Sequence, residues 1–384
     1  MNHSNVPFFR PSIGDAEIDA VTKVMRSGWL TTASEAPALE KSFEEYLGGD
    51  VHALAVTSAT AALHLGLDAL GVGPGDEVIL PTLTFTATAE VVRYMGATPV
   101  LVDIDPATLC LSVDGVRTAI TPRTKTVMPV HFAGRACDMA GLRALADAHG
   151  LTILDDAAHA LPAKTGGALI GSAAAQADAT AFSFYANKTM TTGEGGMLIV
   201  ADADRAARSR TMRLHGIDRD VFKRFTDTKA PWIYDVVAPG FKYNLTDMAA
   251  AIGRVQFSRL SEFLDARTTR AAIYDDALSD LPLTLPPHAA PGDMHSWHLY
   301  CVRIREDAPL SRDAFINAMK DEGIGTSVHY RPLHQMTYWR HLVDKGKFPN
   351  ADAYFERCVT LPLFMSMTDD EQARVITVVR QILS

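Results

Sequence analysis

Between residues 51 and 201, short apolar runs alternate with helical patterns, and this alternation restricts the chain to a small set of folds. Strands that alternate with helices form βαβ units, which build a mainly parallel sheet covered by helices on both faces. Ligands bind beyond the carboxyl ends of such strands, so the residues after each run are the candidates for chemistry. The predicted strands are Ala53–Val56, Val78–Leu80, Pro99–Val102, Thr126–Val130, Leu151–Leu154 and Ala179–Phe182, with helical stretches that include Ala61–Leu70, Ala87–Tyr94 and Met139–His149.

The C-terminal part of the chain has a different pattern. With 384 residues the chain is longer than one ordinary core requires. We therefore expect an N-terminal segment and a large α/β domain over residues 1–254, and a small α+β domain over residues 255–384. The charged stretch 205–241 is expected to be an irregular surface excursion. The C-terminal elements are expected to be one long helix from about Asn244 to Tyr274, a strand within Trp297–Ile304, a helix near Asp313–Glu322 and a terminal helix from Asp369.

Composition excludes several classes of protein. The formal charge is −9 and no basic block is present, which argues against nucleic acid as a partner. No apolar stretch reaches the roughly 18 residues that a membrane-spanning helix needs, and residues 1–11 lack the pattern of a secretion signal. The four cysteines form no C-x-x-C pair, so we expect buried thiols in a reducing cytoplasm.

The turn after the first predicted strand is suited to a phosphate. Small residues at Ser58, Ala59 and Thr60 open a helix, where free N–H groups and the helix dipole favour an anion. A serine before a helix is also an ordinary N-cap. Both roles stay open for Ser58.

An aromatic residue, Phe85, follows the second predicted strand. Its ring offers a flat face on which a pyridine ring can stack. A single phenylalanine at such a position is equally compatible with core packing.

The strand Leu151–Leu154 is followed by Asp155-Asp156-Ala157-Ala158-His159. A carboxylate that faces a pyridine nitrogen keeps that nitrogen protonated, which makes the ring an acceptor for carbanion electrons. We assign this role to Asp156 and place His159 near the phenolic oxygen of the same ring. His131 and Asp155 allow a metal alternative, but their spacing fits no known metal motif, so no metal is predicted.

The strand Ala179–Phe182 leads to Ser183 and then to Lys188, which precedes the glycine-rich Gly193–Gly196. Ser183 is positioned to donate its hydroxyl hydrogen to a phosphate. Lys188 is positioned to bond to an aldehyde cofactor and to move a proton to and from the substrate carbon. Strands of one sheet are thus followed by a turn suited to a phosphate, an aromatic ring suited to stacking, a carboxylate suited to a pyridine nitrogen, and a lysine. Together, these residues predict a pyridoxal 5′-phosphate site.

Several motifs in one order extend this prediction to the whole chain. With them, the chain resembles the DegT-type nucleotide-sugar aminotransferases. The resemblance implies the aspartate-aminotransferase-like fold (PLP fold type I), with a mainly parallel seven-stranded sheet flanked by helices and a smaller C-terminal α+β domain. The motifs are Ser27–Thr32, Thr57–Ala62, Asp155–His159, Ser183–Lys188, Gly240–Asp247, Val328–His334 and Leu361–Phe364.

The resemblance also implies a homodimer with shared active sites. Asn244 matches the position that reaches the partner subunit's cofactor phosphate, and it could equally be the N-cap of the long predicted helix. In this family a lysine at the position of Lys188 accompanies transamination, whereas histidine there accompanies dehydration. Lys188 therefore places the chain with the aminotransferases and disfavours a dehydratase.

The implied reaction moves nitrogen from L-glutamate to a nucleotide-linked keto-sugar. The likeness within the family is to enzymes that make UDP-4-amino-4-deoxy-L-arabinose from a UDP-4-keto-pentose. Gly240–Asp247 and Arg331 favour that branch, with UDP or TDP as the nucleotide. The run Thr31-Thr32-Ala33-Ser34 departs from the family's Thr-Thr-Gly-Pro. The alternatives are amination at C4 or C3 of a keto-6-deoxyhexose, and a non-catalytic sensor of the same fold.

Substrate contacts are expected from residues within these motifs. Lys242 and Arg331 are candidates for the diphosphate, with plain surface charge as the alternative. His329 lies five residues before His334, and a contact with sugar or diphosphate fits this pair better than a metal. Trp297 and His298 are expected in the core of the smaller domain. The predicted substrate contacts are Trp29, Thr31, Tyr185, Lys242, His329 and Arg331.

Overall fold

A seven-stranded sheet forms the centre of the larger part of the molecule. The computed structural model describes residues 5–218, 234–342 and 347–384. The strand order is β1-β9-β8-β5-β4-β2-β3. The strands are β1 (His52–Val56), β2 (Glu77–Pro81), β3 (Thr98–Val102), β4 (Thr124–Val127), β5 (Thr152–Asp156), β8 (Ala179–Ser183) and β9 (Gly196–Val200), while β6 (Lys164–Thr165) and β7 (Ala168–Leu169) form a separate small hairpin.

The sheet is mainly parallel, as predicted. Strand β9 runs antiparallel to both of its neighbours, β1 and β8, and the other pairs in this sheet are parallel. The strands predicted from the sequence omit β9, which follows the strand at Ala179–Phe182. The chain turns back at Gly193, whose φ is +81°, and this turn lets β9 pair with β8 in the opposite direction.

Alternate residues of the strands pack on opposite faces of the sheet. In β1, Ala53 and Ala55 contribute to one buried cluster while Leu54 and Val56 contribute to the other. Both faces are covered, so strands such as β8 and β9 are buried along their full length. The helices of this part are α1 (Asp15–Ser27), α2 (Glu35–Tyr46), α3 (Ala59–Ala69), α4 (Ala87–Tyr94), α5 (Val113–Ala119), α6 (Met139–His149), α7 (Ala203–Met212) and α8 (Asp247–Ser258).

A second, antiparallel sheet forms the C-terminal part and has its own core. Its strand order is β10-β11-β12, and Tyr274, Phe315 and Val375 are among the residues buried against it. A division after residue 254 stays a proposal, and it falls inside α8. The C-terminal elements are α9 (Leu260–Leu278), β10 (Leu283–Thr284), β11 (Tyr300–Ile304), α10 (Arg312–Asp321), α11 (Pro349–Arg357), β12 (Cys358–Leu361) and α12 (Asp369–Leu383).

The single long helix expected from about Asn244 to Tyr274 is two helices. Helix α8 begins after Thr246, whose side chain accepts the N–H of Ala249, so Thr246 and not Asn244 is the N-cap. The helical path breaks at Arg259 (φ −102°, ψ 9°). The guanidinium of Arg259 contacts the carboxylate of Glu17 at 3.2 Å, and this contact ties the break to α1.

The expectation of an irregular surface excursion over residues 205–241 is wrong at its start. Helix α7 extends to Met212, because Ala206, Ser209 and Met212 recur at helical spacing and are buried. Asp202 caps this helix by accepting the N–H of Arg205. Residues 219–233 lie outside the described part of the chain.

None of the helices within the described ranges combines the length and the apolar character that a bilayer crossing requires. The four cysteines, Cys110, Cys137, Cys301 and Cys358, are all buried and free, as predicted.

Candidate active site

A cavity of about 470 Å³ lies beyond the carboxyl ends of the parallel strands. Its walls come from the segments after β1, β2, β5 and β8, and from His329 and Tyr330 of the C-terminal part. Parallel strands end at one edge of the sheet, which is why residues distant in sequence meet here. Ten of the predicted site residues line this cavity: Ser58, Ala59, Thr60, Phe85, Asp156, His159, Ser183, Tyr185, Lys188 and His329.

Lys188 places its amine inside the cavity. The residue follows a turn in which its N–H donates to the carbonyl of Tyr185 at 2.9 Å. Burial lowers the pKa of the Lys188 amine to about 8, against the opposing attraction of the Asp156 carboxylate. A lysine with this pKa supplies far more free amine near neutral pH than a solvated lysine does.

The carboxylate of Asp156 lies at the end of β5 and is held by two donors. The hydroxyl of Thr88 donates to Oδ2 at 2.8 Å, and the N–H of Ala158 donates to Oδ1 at 3.2 Å. Burial raises the pKa of Asp156, and these two donors oppose that shift. Thr88 also contacts the hydroxyl of Thr84 at 2.7 Å, so the side chain that orients Asp156 is itself positioned.

The turn at the start of α3 has the geometry of an anion site. Ser58 is the N-cap, with its hydroxyl accepting the N–H of Ala61 at 3.1 Å. The first N–H groups of a helix have no partner within it, and here they face the cavity. Gly196 of β9 passes so close that an added Cβ would lie 2.6 Å from the carbonyl carbon of Ser58 and 2.7 Å from the nitrogen of Ala59.

His159 is a neutral ring whose tautomer follows from its contacts. Its Nδ1 accepts the N–H of Ala133 at 3.3 Å, so the ring hydrogen is on Nε2, which lies 3.0 Å from the hydroxyl of Tyr330. Burial lowers the pKa of His159 well below its ordinary value. The rings of His159 and Tyr330 stack with centroids 6.1 Å apart, and together they form one wall of the cavity.

Comparison with known protein families matches residues 11–380 to the DegT/DnrJ/EryC1/StrS aminotransferases. The chain belongs to the DegT/DnrJ/EryC1/StrS aminotransferase family. Members of this family use pyridoxal phosphate to transaminate a keto-sugar in amino-sugar biosynthesis. The chain is therefore a pyridoxal-phosphate-dependent sugar aminotransferase.

Individual relatives in this family cover nearly the whole chain. The spore coat polysaccharide biosynthesis protein SpsC of Bacillus subtilis (strain 168) is 43% identical over 382 residues, which are 98% of this chain and 97% of that protein. Spr1654 from Streptococcus pneumoniae, in its PMP-form, is 34% identical with a TM-score of 0.90 and covers 99% of both chains. The aminotransferase TlmJ from Streptoalloteichus hindustanus is 34% identical with a TM-score of 0.89 and covers 98% of both.

The residues that line the cavity of this DegT-family chain fit pyridoxal phosphate. A buried lysine, a carboxylate and a helix N-terminus line the same space. The absence of a side chain at Gly196 lets β9 pass directly against the turn at Ser58, since a Cβ there would collide with the backbone. Ser183 also lines the cavity, at the end of β8. Phe85 lies at the opposite side with 59% of its surface exposed, which leaves its ring face available for stacking.

Five residues predicted for this site do not line the cavity: Trp29, Thr31, Lys242, Asn244 and Arg331. The amide of Asn244 donates to the hydroxyl of Thr32 at 2.7 Å, and Lys242 donates to the amide oxygen of Asn244. Arg331 is exposed and donates to the carbonyl of Gln335 at 2.9 Å. Asn244 and Lys242 thus join the loop that contains Thr31 in a separate cluster.

One side chain, Asp247, holds that separate loop against α8. Its carboxylate accepts the N–H groups of four successive residues at 2.8–3.1 Å and caps α2 from a distant part of the chain. Two predicted family motifs, Ser27–Thr32 and Gly240–Asp247, are therefore adjacent in space.

Sequence reasoning missed three residues of the site. Thr88 is one helical turn after Phe85, and that spacing is a signal that could have been used. Tyr330 was part of a recognised motif but was given no role. His298 was expected in the core of the smaller domain; it is buried, but its Nε2 lies 3.4 Å from the Lys188 amine, so that expectation is incomplete. Trp297 is buried in that core as predicted.

The alternative metal pair, His131 and Asp155, lies behind the cavity wall. Nε2 of His131 is 3.3 Å from Oδ2 of Asp155, and both side chains are fully buried. Within the described residues, no group of three or more His, Cys, Asp or Glu side chains is arranged to hold a metal ion.

Proposed function

We propose that the chain transfers an amino group from L-glutamate to C4 of a keto-sugar linked to a nucleoside diphosphate, with a UDP- or TDP-linked 4-keto-pentose as the substrate. The observation that carries the transamination is the convergence of Lys188, Asp156 and the Ser58 turn on one cavity. The choice of pentose rests on the Gly240–Asp247 run and on Arg331. The name of SpsC, a polysaccharide biosynthesis protein, supports a sugar substrate.

Pyridoxal phosphate, when bound, supplies an aldehyde that accepts an amino group and a ring that takes up carbanion electrons. The N–H groups at Ser58, Ala59 and Thr60 and the hydroxyl of Ser183 hold its phosphate. Asp156, oriented by Thr88, holds the proton on its ring nitrogen. Phe85 would offer its ring face to the cofactor ring, and the neutral His159 would lie near its phenolic oxygen.

Lys188 is the proton carrier of the reaction. Its free amine would remove the proton from the donor carbon and later deliver a proton to the sugar carbon. The lowered pKa of Lys188 suits this task, because a base near the working pH gives and takes protons with equal ease.

We infer that a second copy of the chain completes the site. Among the described residues that line the cavity, Lys188 is the only lysine or arginine, and the buried imidazoles there are neutral. A diphosphate and the donor carboxylates need further cations or N–H donors. The cluster of Lys242, Asn244 and the loop with Trp29 and Thr31 offers such groups, and the partner subunit's copy of it is proposed to reach this cavity.

Mixing two inactive variants tests the shared site. Lys188→Ala and Asn244→Ala should each lose activity, and exchange of subunits should restore about a quarter of wild-type turnover, since half the dimers are hybrids with one intact site. Absence of recovery, with hybrids demonstrated by native mass spectrometry, would contradict the shared site and leave the transamination intact.

The substrate is tested with a panel of nucleotide-linked keto-sugars and L-glutamate. Mass spectrometry should detect an amino-sugar, with the UDP-4-keto-pentose giving the highest kcat/KM. A higher value for a 4-keto-6-deoxyhexose or a 3-keto-hexose would replace the pentose assignment. Binding without turnover of any sugar would favour a sensor, and a deoxy-sugar product that has lost water, with the donor nitrogen released as ammonia, would favour a dehydratase.

A further inference from the structure

His298 is the residue through which the C-terminal part of the chain contacts the Lys188 amine. It lies two residues before β11 and is buried, with its Nε2 3.4 Å from Nζ of Lys188. Its ring also packs on that of His159, with centroids 4.4 Å apart. The contact joins residues 110 positions apart in the chain.

The backbone around His298 is held from two sides. Nη1 of the buried Arg267 donates to the carbonyls of Trp297, His298 and Leu363 at 3.0–3.2 Å. On the other side, the hydroxyl of Ser296 donates to the carbonyl of His159 at 2.6 Å. These contacts stabilise Trp297 at a φ of +50°, a left-handed conformation that is strained for a bulky residue. The imidazole of His298 is therefore fixed in position.

The hydrogen bonds of His298 decide its tautomer. Its Nδ1 is buried and has no hydrogen-bond partner among the residues that the structure describes. A hydrogen on Nδ1 would be a buried N–H without an acceptor, which is unfavourable. With the hydrogen on Nε2, the ring donates it to the lone pair of the Lys188 amine. Burial lowers the pKa of His298 well below its ordinary value, so the ring is neutral.

We propose that His298 is a positioning residue whose Nε2–H donates to Lys188 and holds the detached lysine as a free amine, ready to accept the proton from the substrate carbon. This role rests on the proposed function of Lys188. An ammonium at Nζ has no lone pair to accept that hydrogen, so the contact favours the neutral lysine.

The other groups around Lys188 do not explain a neutral amine as well. The Asp156 carboxylate favours the ammonium form, while the buried guanidinium of Arg267 disfavours it. Three neutral imidazoles, those of His159, His298 and His329, face the lysine, and each has a pKa lowered first by burial and also by the lysine charge. Of these, His298 has the hydrogen-bond contact with Nζ.

Two measurements on the full chain without cofactor test this role. In protein with ¹⁵N-labelled histidine, two-bond correlations should show the His298 hydrogen on Nε2, with the resonance assigned by its loss in His298→Gln. The pKa of Lys188, measured by pH-dependent acetylation and mass spectrometry, should rise by about one unit in His298→Gln, because the amide oxygen can accept from an ammonium. At neutral pH that shift lowers the rate of bonding to pyridoxal phosphate about tenfold.

His295→Gln is the matched control. It disturbs the same segment, since His295 accepts the N–H of Trp297 at 2.8 Å, but it leaves the contact with Lys188 in place. An unchanged Lys188 pKa in His298→Gln, an equal shift in His295→Gln, or a hydrogen on Nδ1 would overturn the proposal. If His298→Gln does not fold, a His298→Asn variant supplies the assignment, and the tautomer in the wild type decides. Failure of wild-type Lys188 to bond pyridoxal phosphate would instead overturn the proposed function.

Discussion

The two sides of the cavity are built in different ways. On the side of the large sheet, Ser58, Asp156 and Ser183 are at or directly after the ends of strands, where the parallel topology brings them together. On the other side, His298 and Tyr330 arrive on irregular segments of the C-terminal part. There, Arg267 fixes the carbonyl of His298, and a hydroxyl from Tyr354 donates to the carbonyl of His329 at 3.1 Å.

The two sides of the cavity therefore have different proposed roles in the reaction. The sheet side holds the groups that are proposed to bond the cofactor and hold its ring proton. The C-terminal side holds neutral rings that contact Lys188 and His159. Substitutions on the sheet side should therefore abolish turnover, and those on the C-terminal side should shift stability and pKa values.

The largest effect is expected for Lys188→Ala. Loss of the amine removes both the bond to the cofactor and the proton carrier, so turnover should fall by about 10³–10⁴-fold or more. Steady-state kinetics measure turnover, and the yellow, borohydride-sensitive absorption band reports the bond to the cofactor. The exposed Lys41→Ala serves as a control that should keep both. A Lys188→Ala protein with normal turnover would sink the assignment of the sheet side.

Asp156→Asn is expected to reduce turnover by about 10²–10³-fold, because the ring nitrogen would lose the carboxylate that holds its proton. Thr88→Val should have a milder effect of about tenfold, and it should move the acid limb of the pH profile upward, since the Thr88 hydroxyl lowers the pKa of Asp156. Asp155→Asn is the matched control, because Asp155 contacts His131 behind the wall. Equal losses in both Asp→Asn variants would contradict the role of Asp156.

On the C-terminal side, Arg267→Met should lower the free energy of unfolding by about 1–3 kcal/mol, because three buried carbonyls lose their donor. Urea denaturation measures this change. The variant should also shift the pKa of Lys188 as His298 moves. Arg254→Met removes a half-exposed ion pair with Glu35 and should change stability by less than about 1 kcal/mol. Equal stability changes in the two variants would show that Arg267 does not organise this side.

The last effect, similar in size to that of Arg267→Met, is a gain in stability in the cofactor-free protein. Because folding lowers the pKa of Lys188 from 10.5 to about 8, the unfolded chain binds more protons between these values, and wild-type stability rises with pH there. Below pH 8 the folded protein bears the cost of burying a charged amine. Lys188→Met removes this cost and should be more stable by about 1–3 kcal/mol at these pH values. The advantage should shrink as pH rises toward 10.5. A pH-independent difference would show that the lysine is not desolvated in the folded state.

The predicted strands and helices of residues 51–201 matched because their apolar patterns are local and bounded by turns. Asp156 and Lys188 could be named for the same reason, since Asp156 ends one recognisable strand and Lys188 lies five residues after the end of another. β9 was missed because its antiparallel pairing depends on the turn at Gly193. The break between α8 and α9 was missed because the contact of Arg259 with Glu17 is long-range.

By itself, the sequence determined the fold class, the family and the side chains that follow the strands, because strand order and periodicity place those residues at one edge of a sheet. Only the tertiary structure decided which groups surround the Lys188 amine. The 3.4 Å contact with His298 depends on Arg267 and Ser296, which hold a strained segment from another part of the chain. Burial and hydrogen bonding set the pKa of a lysine, and both arise only when distant segments pack together.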